Sequence, residues 1–167
     1  MIQQNPKKFT ACESKPTDFR FNWDNLATKL SNGSAPRVLI AEDDPALRDL
    51  MARMLAFEGY IVTETADGQT MLEAAHASHD SIDDAFDLIV TDVHMPGMTG
   101  LDALARLREL GCCTPAIVVS ALPPDMVQYE VHELNALFLP KPFALENLLR
   151  IANRVVGGQQ SQASDVK

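Results

Sequence analysis

The sequence predicts an α/β fold in which a five-stranded parallel sheet has helices on both faces. Short apolar runs, such as residues 37–41 and 116–120, suit strands that are buried on both faces. Helical apolar stripes lie between these runs, and the alternation continues from residue 36 to residue 156. Strands that alternate with helices in this way form a parallel sheet with right-handed crossovers.

The first strand and helix have the clearest boundaries. The strand covers residues 37–41, and Asp44 can cap the helix that follows. Pro45 suits the first helical turn, and Gly59 is expected to end the helix. The apolar stripe of this helix consists of Leu47, Leu50, Met51, Met54 and Leu55.

The later elements repeat the same pattern. Strands are predicted at residues 60–66, 87–91, 116–120 and 136–139, and helices at 69–77, 101–110, 126–134 and 144–156. The helix at 126–134 has the weakest pattern. The acidic loop at 78–86 is interpreted as a solvated insertion.

The two ends of the chain differ from this core. Residues 1–35 are polar and contain several prolines, so we predict an extension outside the core. The spacing of Trp23, Leu26, Ala27 and Leu30 on one helical face indicates one short helix there. That helix could cover its own domain or bind a partner. Residues 157–167 are predicted to be a disordered tail.

Charge and hydropathy exclude several classes of function. The formal net charge is −9 and the isoelectric point is near 4.8, which opposes direct binding to nucleic acid or anionic lipid. No apolar run approaches the roughly 20 residues that span a bilayer, and the N-terminus does not resemble a signal peptide. We therefore predict a cytoplasmic protein that does not associate with membranes.

Polar residues follow four of the predicted strands at their carboxyl ends, where parallel sheets place their sites. Glu42 and Asp43 follow the first strand, and Asp92 follows the third. Ser120 ends the fourth strand and Lys141 follows the fifth. Crowded carboxylates raise one another's pKa unless a cation neutralises them, and Mg²⁺ suits oxygen ligands of this kind.

The same residues suit phosphoryl transfer. The Asp92 carboxylate can attack phosphorus, while Lys141 and the Ser120 hydroxyl can bind phosphoryl oxygens. An acid, a serine or a lysine at one strand end is usually a cap or a solvated residue. Their joint occurrence at successive strand ends favours a phosphoryl-transfer site.

Four stretches resemble the receiver domain of bacterial response regulators: VLIAEDDPALRDLM, LIVTDVHMPGMTGLDAL, AIVVSA and LPKPF. The resemblance covers residues 36–156. It implies a doubly wound, flavodoxin-like sheet with strand order 2-1-3-4-5. It also implies that a sensor histidine kinase, a phosphotransfer protein or a small phosphodonor phosphorylates one aspartate.

Matched position by position, the resemblance makes Asp92 the phosphoacceptor. It implies that Glu42, Asp43 and Asp92 bind Mg²⁺ together with the backbone carbonyl of His94. Ser120 and Lys141 would bind the phosphoryl group. A cis peptide bond is also implied between Lys141 and Pro142, although cis bonds make up only about 5% of X-Pro bonds.

Three departures from the family pattern concern the region that would respond to phosphorylation. Phe138 occupies the switch position, where a phenylalanine can act only through packing; it could equally be a fixed core residue. Pro123 and Pro124 suggest that the fourth helix is short or displaced. Leu134 replaces the usual glycine before the last strand, so we expect a differently built turn there.

These inferences favour a stand-alone response regulator that acts as a phosphorylation-dependent protein-binding switch or as a phosphoryl shuttle. Its only reactions would be its own phosphorylation and dephosphorylation. One alternative is an adaptor that binds partners without phosphorylation, although such an adaptor has no need of the crowded charges. A small phosphohydrolase fits less well, because His94 replaces the acid that would serve the leaving group.

Overall fold

The computed structural model describes residues 34–79 and 84–157. The predicted helix at 23–30, the tip of the acidic loop at 80–83 and the tail after 157 lie outside the described residues.

Within the described residues, strands and helices alternate as the sequence predicts. The strands are β1 (Arg37–Ala41), β2 (Ile61–Thr65), β3 (Leu88–Asp92), β4 (Ala116–Ser120) and β5 (Ala136–Pro140). The helices are α1 (Pro45–Phe57), α2 (Gly68–His79), α3 (Gly100–Glu109), α4 (Pro124–Glu133) and α5 (Leu145–Val156). The sheet is parallel with the order β2-β1-β3-β4-β5, which confirms the predicted fold class and strand order.

Two hydrophobic clusters cover the two faces of the sheet. Successive strand residues point to opposite faces, so Leu39 belongs to the cluster that contains residues of α2, α3 and α4, and Ile40 to the cluster that contains residues of α1 and α5. The central strands β1, β3 and β4 are almost wholly buried, whereas β2 and β5 form the edges. No helix in the described part of the chain is long and apolar enough to cross a bilayer.

The ends of α1 match their predicted signals. The Asp44 carboxylate accepts hydrogen bonds from the backbone N–H groups of Ala46, at 2.8 Å, and Leu47, at 3.3 Å. Gly59 follows the helix with a φ of +93°, a conformation that favours glycine. These local signals therefore fix where the helix begins and ends.

The two prolines predict an α4 that is short or displaced; the helix is not short, so that part of the expectation is wrong, and displacement stays a prediction. The helix has ten residues and begins at Pro124, two residues before the predicted start. Pro123 is extended (φ −55°, ψ 141°) and precedes the helix. Pro124 occupies the first turn, where its missing N–H would have had no helical partner.

The turn between α4 and β5 is built without glycine, as predicted. Leu134 keeps a φ of −81°, and the following residue, Asn135, adopts a φ of +54°. Asparagine tolerates this left-handed conformation better than most residues. The left-handed residue of this turn is therefore Asn135 and not Leu134.

Arg108, which the sequence did not single out, joins this turn to the loop after α3. Its guanidinium donates hydrogen bonds to the carbonyl oxygens of Leu134 (2.9 Å), Cys112 (2.7 Å) and Thr114 (2.8 Å). One side chain thus satisfies carbonyls near the ends of α3 and α4. These carbonyls lie at the amino ends of the strands, whereas the candidate site lies at the carboxyl ends.

Arg108→Lys is expected to lower the free energy of unfolding by about 2 kcal/mol, because an ammonium group cannot reach three divergent carbonyls as the guanidinium does. Urea unfolding measures this change. Arg106→Lys is the control, since Arg106 is exposed and its 3.8 Å ion pair with Glu109 is weak. Equal stabilities for the two variants would contradict the assigned role of Arg108.

Candidate functional site

The predicted site residues lie at the carboxyl edge of the sheet. Asp92 is the last residue of β3 and is only 6% exposed. β3 lies between β1 and β4, so the residues that follow those strands flank Asp92 on both sides. The topology therefore brings together groups that are far apart in the sequence.

Three carboxylates meet at this edge. Each of Glu42, Asp43 and Asp92 offers an oxygen atom, and these atoms lie within 4.8 Å of one another. Glu42 is 1% exposed, whereas Asp43 is exposed to solvent. The group is thus buried on one side and open on the other.

Lys141 neutralises part of this charge. Its Nζ atom lies 2.6 Å from Oδ2 of Asp92 and 2.8 Å from Oε2 of Glu42. Burial alone would lower the pKa of Lys141, but the two ion pairs outweigh burial and raise it. Lys141 is therefore a fixed cation within reach of both buried acids.

The backbone around Lys141 also matches its prediction. The peptide bond between Lys141 and Pro142 is cis. The Lys141 N–H donates to the Ser120 carbonyl at 2.7 Å, which joins the ends of β4 and β5.

The pKa of Glu42 is raised above its ordinary value. Burial is the main cause, and the nearby Asp92 charge adds to it, while the hydrogen bond from Lys141 acts in the opposite direction. The Asp44 N–H also donates to Glu42, at a long 3.4 Å. Ionised Glu42 is therefore less favourable in the folded chain than in water.

Glu42→Gln is expected to raise the free energy of unfolding at neutral pH without Mg²⁺. A raised folded pKa means that ionised Glu42 destabilises the fold. Below the ordinary glutamate pKa of 4.5, Glu42 is protonated in both the folded and the unfolded chain, so it carries no penalty. The penalty grows as pH rises from 4.5 toward the higher pKa of the folded chain, and the stability gained by glutamine grows with it. Urea unfolding at several pH values measures the difference. The exposed change Glu133→Gln is the control, and no pH-dependent gain in Glu42→Gln would contradict the argument.

Ser120 is fully buried at the end of β4. Its hydroxyl oxygen accepts a hydrogen bond from the backbone N–H of Leu122 at 3.0 Å. Asp92 pairs with Val119, the neighbour of Ser120, in the parallel register. The serine therefore stands beside the strand end that presents Asp92.

The loop after β3 is held closely against Asp92. The His94 N–H donates to Oδ1 of Asp92 at 3.2 Å, and the Thr91 hydroxyl donates to the Asp92 carbonyl at 3.1 Å. Gly100 donates to the Val93 carbonyl at 3.2 Å and packs directly against Thr91 and Asp92. Gly68 likewise approaches the backbone of this loop at Met98.

Arg48 and Gly100 are site residues that the sequence did not indicate. Arg48 donates to the Glu42 carbonyl at 2.6 Å and lies 3.6 Å from the Glu64 carboxylate on β2. Spacing alone could not reveal a contact between a helix side chain and a strand-end carbonyl. Gly100 stands at a helix start, where glycine is common for other reasons.

Phe138 lies apart from these polar groups. It is half-buried, pairs with Val118 across β4 and β5, and packs on the same cluster as Leu122. A role as a switch stays a prediction.

The residues fit a hard divalent cation. Carboxylate oxygens from Glu42, Asp43 and Asp92 lie close enough to share one ion, and the open side at Asp43 leaves room for water ligands. After burial, the nearby charge of Asp92 also raises the pKa of Glu42, as expected where carboxylates crowd together. The donor set contains oxygen only, which favours Mg²⁺ over softer metals.

Comparison with known proteins agrees with this geometry. The family described as the response regulator receiver domain matches residues 38–153. The response regulator MprA of Mycobacterium ulcerans is 40% identical over 116 residues, covering 68% of this chain and 47% of that protein. MprA of Mycolicibacterium vanbaalenii is 39% identical over 116 residues, and the match again covers 68% of this chain and 47% of that protein. The chain thus spans about half the length of these relatives.

Solved structures show the same fold. The receiver domain of the Francisella response regulator 1452 superposes with a TM-score of 0.66 at 28% identity, covering 73% of this chain and 97% of that one. The chemotaxis response regulator CheY4 of Vibrio cholerae gives a TM-score of 0.64 at 31% identity, covering 73% and 99%.

Proposed function

The chain belongs to the response regulator receiver family of two-component systems, and we propose that it is a switch controlled by phosphorylation of Asp92. The observation that supports this most directly is the placement of Asp92. Its carboxylate is buried at the sheet edge, contacts Lys141 and the His94 N–H, and lies beside Glu42 and Asp43.

In the proposed reaction, a carboxylate oxygen of Asp92 attacks the phosphorus of a phosphodonor. The new O–P bond forms as the bond between phosphorus and the donor breaks, and the donor leaves with that electron pair. Lys141 can then move from the Asp92 carboxylate to a phosphoryl oxygen without leaving the pocket. The Ser120 hydroxyl can turn from Leu122 to a second phosphoryl oxygen.

Magnesium fits the same proposal. Glu42, Asp43, Asp92 and the His94 carbonyl are the proposed ligands. When bound, the ion would neutralise the carboxylates and the charge of the incoming phosphoryl group.

The response to phosphorylation is proposed to pass through β4 and β5. Lys141 and Ser120 are joined by a backbone hydrogen bond, and their neighbours Phe138 and Leu122 pack on one cluster. New phosphoryl contacts would favour a conformer in which these side chains repack, and couplings of about 1 to 3 kcal/mol suffice to change partner affinity.

The proposed partners are proteins. A sensor histidine kinase or a phosphotransfer protein would supply the phosphoryl group, and a downstream protein would recognise the phosphorylated form. The net charge of −9 argues against direct binding to nucleic acid, and we propose a cytoplasmic location. Action as a stand-alone switch or phosphoryl shuttle, through residues 36–156, is part of the same proposal.

The test is incubation of the full chain with acetyl phosphate and Mg²⁺, followed by intact mass measurement. We expect one phosphoryl adduct that forms with Mg²⁺ and does not form when the metal is chelated. If no adduct forms, the proposed phosphorylation switch is wrong, and an adaptor that binds partners without phosphorylation is favoured. Continuous release of phosphate from a stable phosphate ester would instead favour a phosphohydrolase.

A further inference from the structure

Helix α1 exposes apolar side chains that its own domain does not cover. Leu50 is 50% exposed and Phe57 is 88% exposed. They are seven residues apart and so lie on the same side of the helix, next to the half-buried Leu47 and Met54. We call these four residues the outer apolar face of α1. The buried residues Met51, Ala52 and Leu55 form a separate stripe against the sheet.

The chain before β1 leaves the fold near the end of this helix. The Pro36 carbonyl accepts a hydrogen bond from the Ile61 N–H at 2.8 Å. Ile61 begins β2 only a few residues after α1 ends, and the Tyr60 N–H between them bonds back to Leu55 at 3.0 Å. Residues that precede Pro36 therefore start close to Phe57.

The 23–30 segment has an apolar pattern that matches this face in length. Trp23 and Leu30 are also seven residues apart, which corresponds to about 10 Å along a helix. The link of six residues from Ser31 to Pro36 can span up to about 20 Å. The link is thus long enough to place Leu30 beside Phe57.

Charge favours contact between the extension as a whole and the rest of the chain. Residues 1–33 contain five basic and three acidic residues, whereas the rest of the chain contains nine basic and 20 acidic residues. The extension is therefore attracted to the domain that follows it, and its tether keeps its local concentration high. A segment of the same chain is favoured over a separate partner for these reasons.

We propose that the 23–30 segment binds to the outer apolar face of α1. With its C-terminal end tethered near Phe57, the segment runs parallel to α1, so that Trp23 lies toward Leu50.

Fluorescence of Trp23 tests the docking, because the chain contains one tryptophan. In the full chain we expect its emission to be blue-shifted relative to the urea-unfolded protein. Leu50→Glu and Phe57→Glu should each shift the emission to the red and increase quenching by acrylamide. Both side chains are exposed, so the fold should survive, and circular dichroism verifies this for each variant.

Leu137→Glu is the matched control, since Leu137 is 41% exposed on β5 at the other edge of the sheet. It should leave Trp23 emission unchanged. The proposal is overturned if native Trp23 already emits like the unfolded chain, or if neither α1 variant alters its emission. An equal change in Leu137→Glu would overturn it as well.

Discussion

Asp92→Asn is expected to abolish the phosphoryl adduct that forms with acetyl phosphate and Mg²⁺. An amide is a far weaker nucleophile than a carboxylate, and it also removes one proposed ligand of the metal. The neighbouring acids cannot substitute. Glu42 is almost inaccessible at 1% exposure, and Asp43 is exposed to solvent rather than buried, so neither has the environment of Asp92. Intact mass spectrometry compares the adduct in the variant and in the native chain.

Asp49→Asn is the control for this experiment. Asp49 is an exposed acid on α1 that pairs with Arg53 on the helix surface. It should leave the extent of phosphorylation unchanged. An adduct of native yield on Asp92→Asn would show that the acceptor lies elsewhere in the chain.

Gly100→Ala is expected to lower the free energy of unfolding by more than about 4 kcal/mol, or to prevent folding. A Cβ atom at this position would overlap the Asp92 carbonyl oxygen and the Thr91 hydroxyl oxygen. Both belong to the buried strand β3, so relief requires the backbone that presents Asp92 to move. Urea unfolding measures the loss, and any folded variant should also show slower phosphorylation.

Gly97→Ala separates this steric effect from the general effect of replacing a glycine. Gly97 lies in the same loop with a φ of +77°, and a Cβ there would meet no atom within 4 Å. Alanine at Gly97 should therefore cost only about 1 kcal/mol, from its backbone conformation. If the two alanine variants lost similar stability, the close packing of Gly100 on β3 would be refuted.

The sequence predicted the elements well because its local signals agreed with one another. The apolar runs of β1 and β4 gave their limits directly, since strands buried on both faces tolerate few polar residues. Asp44 and Gly59 defined α1 through capping, which depends on neighbouring residues alone. The fourth helix was misjudged because Pro124 can begin a helix as readily as it can prevent one.

The grouping of the candidate residues at one end of the sheet could be predicted, but their contacts could not. Parallel topology brings strand ends to one edge, so Asp92, Ser120 and Lys141 could be grouped without coordinates. The hydrogen bonds of Lys141 to both Asp92 and Glu42 depend on side-chain conformations and on burial. The three carbonyls bound by Arg108 and the left-handed Asn135 depend on how distant loops meet. No spacing in the sequence encodes such contacts.

The most direct test of the central claim is to locate the phosphoryl group. After phosphorylation with acetyl phosphate and Mg²⁺, borohydride reduction converts an aspartyl-phosphate to homoserine, and peptide mass mapping then identifies the residue. The account predicts homoserine at position 92 alone. Homoserine at position 43 or in place of any other aspartate would contradict the account, and so would the absence of homoserine.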